Sequence, residues 1–400
     1  SGVNFFTYAS EEKLQIGDLV EIPIGKKTGL GVVWNEVKKP EFETKLILRK
    51  FEQTEIPERI LKTASWMSEY YQTPLAQVLS GILPSGIQKN RRKILTKKSE
   101  ILPKKQIEDR TNFLFTNQQT EAIKNLDKIK KGTVLLHGIT GSGKTEVYID
   151  QAKKAISEDK SVIILVPEIA LTSQIVKNFS AAFSNIKLVH SKLTEANRHK
   201  ICLDILEDKM PQIIIGARSA LFSPVKNLGL IIIDECHEPS FKQEQTPKYS
   251  ALRTASFMAN SLEIKAIFGS ATPLVEDYYL ADFIEKNGGN KIIKMTELAK
   301  ESAHPPEISL VDLTKKSNLS THRFFSNQLL REMKKTLAEE KQILIYHNRR
   351  GSASITMCHN CGWMAMCENC FIPMTLHIDQ HILSCHICGK KDKIPHSCPD

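Results

Sequence analysis

Gly138-Ile139-Thr140-Gly141-Ser142-Gly143-Lys144-Thr145 follows the apolar run Thr133–His137 and precedes an amphipathic stretch. It fills every fixed position of the pattern G-x-x-x-x-G-K-[ST]. Glycines there let the backbone turn tightly, so that N–H groups converge on an anion at the start of a helix. Lys144 is expected to pair the β and γ phosphates of ATP, and the Thr145 hydroxyl to hold Mg²⁺. At average composition the pattern arises by chance in on the order of one chain in a hundred. A strand before it and a helix after it remove most of those coincidences, so the stretch predicts an α/β fold with a nucleotide at a strand tip.

Working outward, further apolar runs lie at Val162–Val166, Ile213–Ile215, Leu230–Ile233 and Ala266–Phe268, with amphipathic segments between them. They are continuous rather than alternating, as in parallel strands buried on both faces. Strand and helix in alternation predict a RecA-like lobe. Asp234-Glu235-Cys236-His237 follows one of the strands. Asp234 is expected to anchor Mg²⁺ through water, and Glu235 to orient and deprotonate an attacking water. Two acids after a strand are commonly just a turn; paired with the phosphate loop, they form the second half of an ATPase site. The catalytic set expected is thus Lys144, Asp234, Glu235 and His237. Gln119 and the eight loop residues, Gly138, Ile139, Thr140, Gly141, Ser142, Gly143, Lys144 and Thr145, form the nucleotide-binding set.

On the N-terminal side, residues 1–88 form a β-rich domain: Leu19–Ile24 and Leu30–Trp34 are expected as strands around a Gly25–Gly29 turn. A helix is expected over Pro57–Tyr71, with Ile60, Leu61, Ala64, Met67 and Tyr71 on one face. Residues 89–110 are a basic linker, dense in Lys and Arg from Lys89 to Lys105. It faces DNA or is merely solvated. The lobe spans 111–300. A helix at Ser326–Glu339 and a strand at Gln342–Tyr346 start a second lobe over 301–357, and residues 358–400 form a Cys-rich insertion.

Nine cysteines are present, and seven of them fall between Cys358 and Cys398. Cys358-x2-Cys361, Cys367-x2-Cys370 and Cys385-x2-Cys388 are three complete knuckles, each able to place two thiolates on one turn. Tandem knuckles favour zinc; a redox role for one C-x-x-C is the minor reading. Cys202 and Cys236 stand apart as small apolar residues, and His137, His190 and His304 are structural. Lysine and arginine number 55 against 45 acidic residues, a net charge of +10 that suits a phosphate backbone but does not require one. No apolar run approaches the roughly 18 residues of a membrane span. The first residues carry no secretory pattern, so a cytoplasmic protein is expected.

Further blocks resemble superfamily 2 DExH helicases, and most closely the PriA family of primosomal replication-restart helicases. They are Phe115–Gln119, Gly138–Tyr148, Val166–Thr172, Gly216–Phe222, His237–Glu244, Gly269–Pro273 and Asn348–Gly351. Phe6-Thr7-Tyr8 through Gly25 and Gly31 resembles the family's small barrel that caps a 3′ DNA end. The resemblance implies that Gln119 reads adenine and that Arg218 and Ser219 face the DNA backbone. It implies that Gly269–Pro273 couples hydrolysis to movement, and that Phe241, Lys242 and Tyr249 contact single-stranded DNA, the two rings by stacking. It implies a 3′–5′ helicase that restarts forks, associated with the nucleoid. The implied partners are forked and single-stranded DNA, primosome proteins, single-strand DNA-binding protein and the replicative helicase loader, with no membrane.

The same resemblance implies two zinc ions. Cys367, Cys370, Cys385 and Cys388 would hold one; Cys358, Cys361 and Cys398 would hold the other, with a cysteine three residues further on. His396, His359 or a water are alternatives for that fourth position. Arginines that complete hydrolysis come from the second lobe in this superfamily, so residues 1–400 alone are expected to hydrolyse ATP poorly. Three departures stand out. Too little sequence lies between Leu83 and Thr116 for a winged helix, Pro247 and Lys248 occupy a stretch where the family often has a Trp, and Ala217 replaces a common Thr. A RecG-like translocase or a non-catalytic fork-binding scaffold would share some of these blocks; the zinc region argues against the first and the intact acidic motif against the second.

Overall fold

The computed structural model describes residues 5–51, 55–83, 114–167, 174–190, 193–286, 292–300, 307–322, 325–346, 355–358 and 360–399. The basic linker, His304, His359, Asn348–Gly351 and most of the stretch after Pro167 lie outside them. The chain divides into two compact units, Ser1–His304 and Pro305–Asp400.

The first unit begins with β1 (Leu19–Ile24) and β2 (Lys27–Val32), an antiparallel hairpin, and β3 (Arg49–Lys50) on the other edge of β1. The turn is shorter than expected, because Ile24 pairs directly with Lys27 and the second strand starts earlier. Two helices follow, α1 (Glu58–Tyr70) and α2 (Leu75–Ile82), so this region is less β-rich than its sequence suggests. Ile60, Leu61, Ala64 and Met67 are buried along α1, as the periodicity predicts. Tyr71 lies just past the helix, and its hydroxyl accepts the Ser250 N–H at 3.1 Å.

The lobe runs α3 (Asn117–Lys128), β4 (Gly132–Gly138), α4 (Lys144–Ser157), β5 (Ser161–Leu165), α5 (Gln174–Ala182), β6 (Ile186–Val189), α6 (Glu195–Glu207), β7 (Ile213–Gly216) and β8 (Leu228–Ile233). A short ribbon of β9 (Lys242–Gln243) and β10 (Tyr249–Ser250) leads to α7 (Ala251–Ser261), β11 (Lys265–Ser270), α8 (Val275–Lys286) and β12 (Ile292–Met295). Seven strands form one parallel sheet in the order β12-β4-β11-β8-β5-β7-β6. Alternate residues of each strand enter different cores. Val134, Leu136, Ile164 and Ile232 pack with α3, α4 and α5, while Leu135, Ile163, Leu165 and Ile231 pack with α6 and α7. Each buried Ile or Leu stabilises the sheet by about 1.5–3 kcal/mol, which is why the run is apolar throughout. Helices α1 and α2 join the second core, and Trp66 stacks on Phe257 of α7 with ring centroids 4.5 Å apart.

In the second unit, α9 (Asn327–Ala338) forms as expected, capped by Ser326, but buries no residue. The expected strand Gln342–Tyr346 does not form; Leu344 and Tyr346 are 95% and 84% exposed. A parallel strand requires a neighbour to satisfy its backbone, and among the described residues none lies beside it. The Cys-rich segment folds around β13 (Thr375–His377), β14 (Ile382–Ser384) and β15 (Lys391–Lys393), an antiparallel sheet. Its small core holds Ala365, Met374 and Leu383 beside Cys367 and Cys385.

Candidate nucleotide site and metal centre

The strand order explains the site. The phosphate loop leaves β4, the acidic motif leaves β8, and β11 lies between them, so the C-terminal ends of three adjacent strands converge. Ligands of open α/β sheets bind at such ends. The loop turns through Gly141 and Gly143 at φ of 82° and 79°, left-handed backbone that a side chain would strain. Lys144 opens α4, is 8% exposed, and its Nζ donates to Gly138 O at 2.8 Å. Thr145, half-buried, follows it in the first turn.

Asp234 is held at the tip of β8 by its N–H to Leu165 O at 2.9 Å. Its Oδ1 accepts the Tyr148 hydroxyl at 3.0 Å. Burial, reinforced by the Glu235 charge, pushes the Asp234 carboxyl up to about 6. Burial beside Asp234 also holds the Tyr148 phenol well above its ordinary range, so the hydroxyl remains a donor. Glu235 has a φ of 48°, and the next residue's N–H, of Cys236, donates to Gly269 O at 2.9 Å. His237 Nδ1 meets Ser270 Oγ at 2.7 Å and Glu235 Oε2 at 3.5 Å. Lys144, Asp234, Glu235 and His237 are thus brought to one end of the sheet, joined by Ser270 of the Gly269–Pro273 block and by Tyr148, which was not expected in the site. Gly269 makes room for Tyr148, since a Cβ there would overlap its hydroxyl, a relation visible only in the folded chain.

For three of the expectations the structure shows the side chains already engaged within the chain. Gln119 is 1% exposed; its Oε1 accepts the Thr116 N–H at 2.9 Å and its Nε2 donates to Ser142 O at 3.2 Å. It clamps α3 beneath the phosphate loop, and reading adenine would require breaking that clamp. Phe241 and Tyr249 are 2% and 4% exposed, so neither ring offers a face to a base in this conformation. Tyr249 instead packs edge-on against Phe222. The Arg218 guanidinium donates to Ser240 O at 2.8 Å and Lys242 O at 3.2 Å, so it fastens the β9 ribbon. Ser219 and Lys242 are exposed. His137 packs edge-on against Tyr278, in keeping with a structural role.

The knuckles share one backbone design. The N–H of Gly362, Phe371 and Gly389 donates to the carbonyl of Cys358, Cys367 and Cys385 in turn, and each of those three residues has positive φ. The N–H of the same first cysteines donates to Trp363, Ile372 and Lys390. Each turn places its two thiols side by side. Cys367, Cys370, Cys385 and Cys388 have sulfurs all within 4.8 Å of one another, and the Cys367–Cys388 pair is 3.6 Å apart. Tetrahedral zinc with bonds of about 2.3 Å fits four sulfurs at that spacing. Cys358, Cys361 and Cys398 make a second cluster of three. His396 does not join it, and among the described residues no fourth ligand does. The Lys390 backbone N–H, helped by hydrogen bonds from the neighbouring Cys367, Cys370 and Cys385 thiols, holds the Cys388 thiol down to about 6, which favours the thiolate a metal needs.

Among the described residues no helix is long and apolar enough to cross a membrane. Residues 116–279 match a DEAD/DEAH box helicase model. Residues 3–84 match the 3′ DNA-binding domain of PriA, and residues 367–393 the Cys-rich region domain of the PriA DNA helicase. Replication restart protein PriA of Rickettsia conorii is 34% identical over 97% of this chain and 58% of its own length. That of Helicobacter pylori strain J99 is 34% identical over 98% of this chain and 58% of its own length. That of Bacillus subtilis is 37% identical over 72% of this chain and 35% of its own. The chain therefore spans less than two thirds of the length of these relatives. Two domain models specific to PriA, one near each end, and relatives aligned along almost the whole chain place this protein in the PriA family.

Proposed function

We propose that the full-length protein is an ATP-driven DNA helicase that moves 3′ to 5′ and reopens stalled or abandoned replication forks, assembling the primosome and loading the replicative helicase there. The observation that carries this reading is the meeting of Lys144, Asp234, Glu235 and Ser270 at the ends of three neighbouring strands. In the resting site Lys144 holds Gly138 O; with nucleotide bound it exchanges that carbonyl for phosphate oxygens. Thr145 and Asp234 are the residues that would hold Mg²⁺, which supplies charge neutralisation on the phosphates. Glu235 orients the attacking water and takes its proton, and His237 carries the acidic motif's state to Ser270. The N-terminal domain takes the 3′ DNA end, Ser219 and Lys242 face the strand, and the zinc region, with two ions, stiffens a platform for strand separation and partner binding. Single-strand DNA-binding protein and the helicase loader are the partners the family reading adds, in the cytoplasm at the nucleoid.

The test is ATPase activity of the full-length protein with and without a forked DNA carrying a 3′ leading-strand end. Strong stimulation is expected, lost at least about a hundredfold in Lys144→Ala. Tight fork binding with no hydrolysis in the wild type would replace the motor by a fork-binding scaffold.

A further inference from the structure

Tyr148 lies one turn after Lys144 on α4, so both side chains share the face of the helix turned toward the strand ends. The ring is fully buried, and its hydroxyl donates to Asp234 Oδ1 at 3.0 Å. The approach of the phenol depends on Gly269, where any Cβ would overlap the hydroxyl. Gly269 O in turn fixes the Cys236 N–H at 2.9 Å. The helix opened by the phosphate loop, the acidic strand and the strand leading to Ser270 therefore meet around one carboxylate.

We propose that Tyr148 is a positioning residue: its hydroxyl fixes the Asp234 carboxylate in one orientation, leaving the other oxygen to the divalent cation that accompanies the nucleotide. This rests on the ATPase reading above and names a residue which that reading does not use. A carboxylate free to rotate must be ordered when the cation arrives, whereas one already held meets it without that loss. Partners of this kind, one bond removed from the metal, change metal affinity by about 10–100-fold when deleted.

The experiment titrates the full-length protein with a fluorescent N-methylanthraniloyl ADP at a series of Mg²⁺ concentrations and in EDTA, for wild type, Tyr148→Phe and Gly269→Ala. Tyr148→Phe keeps the ring and removes only the donor. Its affinity in EDTA is expected to equal that of the wild type, while the Mg²⁺ concentration giving half of the tightening rises about tenfold. Excess Mg²⁺ is expected to restore ATP turnover. Gly269→Ala, which pushes the hydroxyl away, is expected to show the same displacement of the Mg²⁺ midpoint. A Tyr148→Phe protein with an unmoved Mg²⁺ midpoint, whether or not it melts earlier, overturns the proposal and leaves the ATPase reading standing. A wild type that binds the probe with no Mg²⁺ effect, or does not bind it, overturns both.

Discussion

His237 Nδ1 lies 2.7 Å from Ser270 Oγ, which ties the acidic motif to the strand that follows it in the site. The same oxygen accepts the Thr272 N–H at 2.9 Å, and Ser270 is completely buried. A change at Glu235 has a short side-chain route to the Ser270–Pro273 turn through this contact, beside the backbone bond from the Cys236 N–H to Gly269 O.

Ser270→Ala removes the oxygen without changing the packing volume greatly. Nucleotide affinity is expected to persist, while DNA stimulation of ATP hydrolysis falls about fivefold, the effect of one hydrogen bond. Steady-state ATPase with and without forked DNA measures it; undiminished stimulation would show that His237 and Ser270 do not couple the motifs.

Zinc content follows from the two clusters. Cys367→Ser is expected to lose the inner ion and unfold the small core that Cys367 and Cys385 share with Met374 and Leu383. Cys358→Ser is expected to retain the inner ion, since it belongs to the other cluster. Metal analysis of the purified variants decides; loss of both ions from Cys358→Ser would mean the sites are one folding unit.

Trp66 stacks on Phe257 at 4.5 Å and meets Tyr71 edge-on at 5.9 Å, joining α1 to the lobe of the seven-stranded sheet. Trp66→Ala is expected to destabilise the first unit by about 2–3 kcal/mol, less than a fully buried Trp because the ring is half-exposed. Urea unfolding reports the midpoint. An unchanged midpoint would mean that the N-terminal domain is held by its other contacts.

Burial pushes the thiols of Cys202 and Cys236 up to about 12. Reagents attack the thiolate, so a raised value lowers reactivity at pH 8 and restores it only as pH approaches 12 or as the fold opens. With a zinc chelator present, the seven clustered thiols are expected to react and these two to wait for denaturant. A colorimetric thiol titration separates the two classes.

By itself the sequence determined the phosphate loop, the acidic motif, the three knuckles and the central strands. These are local: a tight turn with its ligands, or a strand apolar on both faces, is written in contiguous residues. The two strands of the seven-stranded sheet that it missed, β6 and β12, are the sheet's edges, where only partial burial is imposed and the apolar run is short. The strand predicted at Gln342–Tyr346 had the right composition but, among the described residues, no neighbour, and composition cannot supply one. Tyr148 against Asp234, His237 against Ser270, Gln119 under the phosphate loop, and the burial of Phe241 and Tyr249 were decided only by tertiary structure. Each depends on which strands lie side by side and on the space one glycine leaves open, and no local pattern encodes an arrangement between residues so far apart along the chain.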